Sequence, residues 1–70
     1  MQRQSVNSTD LKSVGYEPQT NILEIEFKKG SIYQYSEVPD YIYTGLIGAA
    51  SHGKYFNAHI KKHFSFRKIR

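Results

Sequence analysis

Residues 22–27, Ile22-Leu23-Glu24-Ile25-Glu26-Phe27, show the most regular alternation of apolar and polar side chains in the sequence. Successive side chains of a β-strand point to opposite faces, so Leu23, Ile25 and Phe27 share one face. The two glutamates share the other face, where pairing with lysines of neighbouring strands would satisfy them in solvent. This alternation predicts a half-buried strand of an antiparallel sheet.

The segments on either side of this strand predict two more strands. Residues 11–16 precede it, and a turn around Pro18 separates the two segments. A Lys-Lys-Gly-Ser turn follows it, in which Gly30 is suited to a positive φ angle. Residues 32–35, Ile-Tyr-Gln-Tyr, then alternate again. Three strands with such short connections predict an antiparallel meander.

After Pro39 the periodicity changes to that of a helix. Proline suits the first helical position, where its missing N–H costs nothing. Ile42, Leu46 and Ala50 then recur at every fourth position, which is helical spacing. Gly53 is expected to stop this helix in the left-handed conformation.

A second short helix is predicted over residues 54–62, with Phe56 and Ile60 together on its buried side. Gly45 and Gly48 weaken the first helix by about 1 kcal/mol each relative to alanine. We therefore expect these glycines to allow close packing of the helix backbone on the sheet.

Residues 64–67, Phe-Ser-Phe-Arg, alternate once more and predict a C-terminal edge strand. The 70 residues suffice for a single domain over residues 1–70, whose ends at 1–7 and 68–70 are expected to be flexible. The sequence therefore predicts an α+β fold: a three-stranded antiparallel meander followed by two short helices packed on one face.

Composition excludes several classes of protein. The chain has no cysteine, which excludes disulfides and Cys-based zinc sites. No apolar run reaches the roughly 18 residues of a membrane span, and no apolar stretch follows Arg3 as a secretory signal requires. We expect a small soluble domain in the cytoplasm, with no membrane contact.

Charge is distributed unevenly along the chain. Residues 1–40 hold six acids and four bases, whereas residues 41–70 hold six bases and no acid. A basic stripe attracts polyanions, and aromatic side chains interleaved with it can stack on unpaired bases. Most of the ten aromatic residues are expected in the core, with Tyr55, Phe64 and Phe66 the most exposed. The candidate nucleic-acid-binding or anion-binding residues are Lys54, Tyr55, Lys61, Lys62, Arg67 and Lys68.

The string from Gly48 to Lys54 matches the Gly-x-x-x-x-Gly-Lys part of a phosphate-binding loop. The next residue is Tyr55, where a Ser or Thr must ligate magnesium. Such a loop also follows a buried strand of a parallel sheet, whereas residues 42–50 are predicted to be helical. A nucleoside triphosphate site is therefore not expected. Residues 51–54 at a helix start could still contact a phosphate, but an ordinary glycine stop beside a solvated lysine is favoured.

His59 and His63 are spaced to share a metal on one helical face, but no glutamate lies between them and no cysteine completes a set of four ligands. No serine has the setting of an activated nucleophile. We therefore expect no metal, no cofactor and no catalytic residue. The weakest functional hypothesis is an enzyme site assembled from Ser51, His52, Lys54 and Asn57.

The sequence resembles the KTSC domain family from about residue 6 to residue 67. The most specific stretch is Ala50-Ser51-His52-Gly53-Lys54-Tyr55-Phe56-Asn57, followed by Ile60. The ending at residues 63–67 is similar to the basic-aromatic ending of other members but less regular. The other matching positions are Ser8, residues 14–16, residues 23–27, Gly30, residues 31–35, Val38, Pro39, Tyr43 and Leu46.

The family takes its name from a segment at the C-terminus of some lysyl-tRNA synthetases, and many members are free-standing bacterial or phage proteins. The resemblance implies an α+β domain and, through the synthetase, contact with RNA. The leading hypothesis is a non-enzymatic RNA-binding module, with tRNA as one candidate RNA. The alternative is a module or inhibitor that binds a protein partner through its sheet edge or its basic face.

Overall fold

The computed structural model describes residues 1–70 as one antiparallel five-stranded sheet with two helices. In chain order the elements are β1 (Gln4–Ser5), β2 (Leu11–Glu17), β3 (Ile22–Phe27), β4 (Ile32–Tyr35), α1 (Asp40–Gly48), α2 (His52–His59) and β5 (Phe66–Lys68). Spatial order follows chain order, from β1 at one edge to β5 at the other. The predicted α+β class is confirmed.

The three predicted strands form the centre of the sheet. β3 and β4 have the predicted bounds, and β2 extends one residue further than predicted. A register shift between Leu11 and Ser13 produces a bulge in β2. Because of this extra residue, Leu11 and Val14 both point into the core, although they are an odd number of positions apart. Gly30 has the expected positive φ, at 107°.

Two short strands make the sheet larger than the predicted three-stranded meander. β1 pairs with β2 at one edge, and β5 pairs with β4 at the other. The predicted C-terminal edge strand is therefore present, although it covers Phe66–Lys68 rather than residues 64–67. Flexibility of residues 1–7 and 68–70 stays a prediction, and both segments include residues that pair in the sheet.

Both helices cover the same face of the sheet and close the core on it. Leu46 is the fully buried residue of α1, and Phe56 of α2 and the adjacent Ile60 are buried as predicted. They pack with apolar side chains of the strands and of the segment before α1: Leu11, Val14, Leu23, Ile25, Tyr35 and Val38. At one end of this core, Tyr16 stacks on Tyr43 at 5.1 Å between ring centroids.

The helix boundaries differ from the prediction. α1 ends at Gly48, so Ala50 lies outside it and is exposed. Gly53 is not a left-handed stop; it lies in the first turn of α2, which begins at His52. Ser51 causes this early start, because its hydroxyl accepts a hydrogen bond from Lys54 N at 3.2 Å and caps the helix.

Gly45 packs closely, but on the second helix rather than on the sheet. A β-carbon at Gly45 would lie 2.2 Å from Tyr55 Oη. The prediction of close packing is wrong for Gly48, which has no neighbour within 4 Å of such a β-carbon.

The opposite face of the sheet is buried too, which the alternation did not predict. Glu24 and Glu26 keep 9% and 8% of their surface exposed. Arg3 lies over them and contacts Glu24 Oε2, while its other amino group lies 3.6 Å from Glu26 Oε1. Arg70 approaches Glu26 Oε2 at 3.3 Å. The expectation of a solvent face is therefore wrong, since arginines from both chain ends cover these carboxylates. A lysine of the neighbouring strand is present as expected, because Lys12 Nζ lies 3.9 Å from Glu26 Oε2.

Candidate nucleic-acid interface

A cleft of about 710 Å³ opens between α2 and the sheet, on the side of the β3–β4 turn. Its walls come from the start of β2, the end of β3, β4, α2 and the segment after α2, and β5. This volume lies within the range of ordinary ligand sites. The residues that line the cleft are far apart in sequence and come together only in the folded chain.

Aromatic rings form the floor of the cleft. Phe27 meets Tyr33 edge to face at 5.6 Å and Phe56 at 5.4 Å between ring centroids. Tyr35 and Phe66 continue the cluster toward the β5 edge, with their centroids 5.7 Å apart. Phe66 remains 56% exposed, so its ring is free to stack on a ligand. Desolvation by burial, and the neighbouring Tyr33, raise the pKa of Tyr35 to about 12, so its hydroxyl stays neutral.

Four lysines line this aromatic floor. Lys28 and Lys29 come from the β3–β4 turn, and Lys61 and Lys62 follow α2. All four are exposed, and none forms an ion pair with a carboxylate of the chain. The cleft therefore presents four unpaired lysines beside aromatic surface, which suits an anionic ligand with a flat ring.

Asp10 is the sole acid that lines the cleft. Its backbone carbonyl accepts a hydrogen bond from Lys28 N at 2.9 Å, which holds it beside the β3–β4 turn. Its carboxylate lies against the first turn of α2, since a β-carbon at Gly53 would be 3.7 Å from Asp10 Oδ2. Asn57 supplies a second polar side chain to the lining.

The structure divides the six residues that the sequence predicts for binding. Lys61 and Lys62 line the cleft, whereas Lys54 lies exposed in the first turns of α2 outside its lining. Arg67 lies on the opposite face of the sheet and donates to Gln34 Oε1 at 3.1 Å. Lys68 stands opposite Tyr33 in the register of β5 with β4.

Tyr55, the predicted stacking residue, has protein partners on both sides. Its ring lies 4.5 Å from that of His59 between centroids, and its hydroxyl end lies against Gly45 of α1. Tyr55 and Phe64 are half-buried, whereas Phe66 is exposed as expected. Phe66 is therefore better placed than Tyr55 to stack on a base.

Sequence reasoning missed Lys28, Lys29 and Asp10. The two lysines were assigned to a turn, and the charge count by halves placed them in the acidic part of the chain. The predicted Lys-Lys-Gly-Ser turn was itself a signal, because a turn between two strands lies at one end of the sheet. A helix packed on that sheet can end at the same place, which would bring its basic residues close to the lysines of the turn.

Two of the four residues of the enzyme hypothesis have structural partners, whereas Lys54 is exposed and Asn57 lines the cleft. Ser51 caps α2, and His52 Nδ1 is hydrogen-bonded to Leu46 O at 2.7 Å. No group of three His, Cys, Asp or Glu side chains is arranged to hold a metal ion. Neither helix has the length and apolar character required to cross a membrane.

Comparison with known proteins assigns the chain to a family. The family model of the KTSC domain matches residues 7–64. An uncharacterised protein of Stutzerimonas stutzeri is 39% identical over 70 residues, which is 99% of each chain. A solved KTSC domain protein from Yersinia pestis is 41% identical, with a TM-score of 0.93 over 99% of this chain and 97% of that one.

A longer protein carries a similar segment. The lysine–tRNA ligase of Nostoc punctiforme is 41% identical over 59 residues, which is 84% of this chain and 10% of the ligase. The chain thus spans about a tenth of that relative. With the family model over most of its length and similar proteins of matching size, the chain belongs to the KTSC domain family.

Proposed function

We propose that this chain is a non-enzymatic RNA-binding module that holds a single-stranded segment of RNA in the cleft between α2 and the sheet. One observation carries the proposal: four unpaired lysines, Lys28, Lys29, Lys61 and Lys62, surround an aromatic floor in one cleft. Phosphates bind the cations, and unstacked bases bind the aromatic rings.

A single strand fits this arrangement better than a duplex. In a duplex the bases are stacked on one another, so their faces are unavailable to Phe66 and Tyr33. A loop or an end of tRNA offers unpaired bases and closely spaced phosphates. The matching segment in lysine–tRNA ligases supports tRNA as the RNA, because that enzyme's name states that it acts on tRNA.

The test is binding of labelled tRNA, a short single-stranded RNA and duplex DNA across a salt series. Four phosphate contacts predict a log–log slope near −3, or roughly a 60-fold loss of affinity between 50 and 200 mM salt. We expect tRNA and the single strand to bind more tightly than the duplex. Absence of binding at low salt would contradict the proposal and favour a protein partner.

Two charge-reversal variants locate the contact. Lys61→Glu with Lys62→Glu removes half of the cleft's lysines, and we expect it to abolish binding. Lys54→Glu with Lys68→Glu makes the same change in net charge at exposed positions outside the cleft lining, and we expect a partial loss. Equal losses in the two variants would show that net charge alone, and not the cleft, governs binding.

A further inference from the structure

Asp10 is chemically out of place in a cleft that binds phosphates. It is the one acid among the lining residues, and it stands in the field of four lysines. An acid there repels phosphate and lowers affinity for any polyanion. Its presence in the lining is therefore a cost unless the carboxylate meets a group that donates hydrogen bonds.

The carboxylate of Asp10 lies against the first turn of α2 but accepts no hydrogen bond within the chain. Ser8 Oγ accepts from Asp10 N at 3.3 Å, but no side-chain donor reaches the Asp10 oxygens and no ion pair includes them. The backbone of Asp10 is nevertheless fixed, through Lys28 N on one side and Ser8 on the other. The fixed backbone keeps this carboxylate at one end of the cleft, where its two oxygens can accept hydrogen bonds.

A nucleobase edge with two adjacent N–H donors matches those two oxygens. Guanine presents N1–H and the N2 amino group side by side on its Watson–Crick edge. Adenine, cytosine and uracil present a donor at one position of that edge, beside acceptors that a carboxylate repels. Single-stranded RNA leaves this edge free to be read.

We propose that Asp10 makes the cleft selective for an unpaired guanine, whose N1–H and N2 amino groups donate to its two carboxylate oxygens. This inference rests on the proposed function and names the base that the cleft selects. Asn57, in the same lining, is available to a neighbouring acceptor of the base.

The geometry assigns a second nucleotide to Phe66. Asp10 precedes β2, and Phe66 begins β5, so three inter-strand spacings of about 4.8 Å, or about 14 Å in total, separate their strands. One base cannot reach both side chains. Asp10 therefore selects one nucleotide while Phe66 stacks on another nucleotide of the same strand.

The test measures binding of five RNA pentamers of uridine that differ at the central position: guanine, inosine, adenine, cytosine or uracil. We expect guanine to bind roughly 5- to 150-fold more tightly than uracil, which is the range for one good bidentate contact. Inosine lacks the N2 amino group and should bind with intermediate affinity. This arm uses the unmodified protein, so it does not depend on a variant that folds.

Asp10→Asn supplies the second arm, with Glu37→Gln as its control. Both substitutions remove one negative charge from an exposed residue, but Glu37 lies outside the cleft lining. We expect Asp10→Asn to bind the uracil pentamer as well as or better than the unmodified protein, yet to lose nearly all preference for guanine. Glu37→Gln should keep that preference.

The outcomes separate this inference from the proposed function. Binding of all pentamers with equal affinity, or an Asp10→Asn variant that still prefers guanine, overturns the role of Asp10 and leaves RNA binding standing. In that case Asp10 acts only on the first turn of α2, which has no acid of its own. Failure of every pentamer and of tRNA to bind overturns both proposals.

Discussion

The two faces of the central sheet are both closed, but by different chemistry. On β3, Ile25 is fully buried under the helices, and the adjacent Glu24 is 9% exposed on the other face. The helix-covered face excludes water with apolar side chains. The second face, which we call the carboxylate face, is defined by Glu24 and Glu26 and is covered by arginines from the two chain ends. Alternation along a strand thus indicates the chemistry of each face, but not whether that face is exposed.

The energies of the two faces differ in kind. A buried Leu or Ile contributes about 1.5–3 kcal/mol to the free energy of unfolding, and this contribution involves no titrating group. On the carboxylate face, burial raises the pKa of Glu24, but hydrogen bonds from Gln34 and Arg3 together with the charge of Arg3 lower it further than burial raises it. The net pKa of Glu24 lies below its ordinary value, so its partners stabilise the ionised form.

The largest effect is expected on the helix-covered face. Ile25→Ala leaves a cavity beneath the helices and should lower the free energy of unfolding by about 2–5 kcal/mol. Chemical denaturation near neutral pH measures it. Since a domain of this size has a small stability margin, Ile25→Val, with an expected loss of about 0.5–1.5 kcal/mol, provides a variant that stays folded.

Ile69→Ala is the matched control for that substitution. Ile69 is 44% exposed, so its substitution by alanine should lower the free energy of unfolding far less than Ile25→Ala does. A loss at Ile69 equal to that at Ile25 would contradict the assignment of the core to the helix-covered face.

A smaller effect is expected on the carboxylate face, and it should depend on pH. Arg3→Gln leaves Glu24 buried without its cation, whereas Glu26 keeps Arg70 and Lys12. Breaking a fully buried ion pair lowers the free energy of unfolding by about 3–5 kcal/mol. For Arg3→Gln we expect a loss of about 1–2 kcal/mol, because the Arg3 side chain is 28% exposed and solvent screens the pair. Urea denaturation of the variant and the unmodified protein at several pH values measures the difference.

The sign of the pH dependence follows from the lowered pKa of Glu24. A carboxylate whose pKa is lower in the folded chain contributes stability above its unfolded pKa, and this contribution is lost as pH falls through the folded value. The difference in free energy of unfolding between the unmodified protein and Arg3→Gln should therefore be largest near pH 7 and decrease progressively below pH 4.5. If this difference in free energy were the same at every pH, Arg3 would act by packing and not by charge.

The central strands and both helices could be predicted from sequence because their signals are local. Alternation over residues 22–27 and the four-residue spacing of Ile42 and Leu46 depend on neighbours in the chain. The cover of the carboxylate face depends on Arg3 and Arg70, which lie far from Glu26 in sequence. No local pattern indicates such contacts, so the glutamates were assigned to solvent.

The candidate site also combines residues with a local sequence signal and residues that only the fold brings together. Lys61 and Lys62 belong to a run of basic residues that is visible in the sequence, and they line the cleft. Lys28, Lys29 and Asp10 join them only because β2 and β3 pair and the helices pack on one face. Counting charge by halves of the chain separated residues that the sheet brings together.

The smallest effect tests whether burial, rather than the number of cations, makes the carboxylate face stabilising. Lys12 Nζ lies 3.9 Å from Glu26 Oε2, and its side chain is 64% exposed. Lys12→Gln should lower the free energy of unfolding by less than about 0.5 kcal/mol, because water already screens the pair of Lys12 and Glu26. In high salt, where ions screen the pair further, we expect no measurable loss. The same urea denaturation compares it with Arg3→Gln, which removes one positive charge from the same face. A loss in Lys12→Gln as large as that in Arg3→Gln would mean that any cation near Glu26 suffices. A small loss would instead show that an exposed cation contributes less than Arg3, whose side chain is held partly out of water over both glutamates.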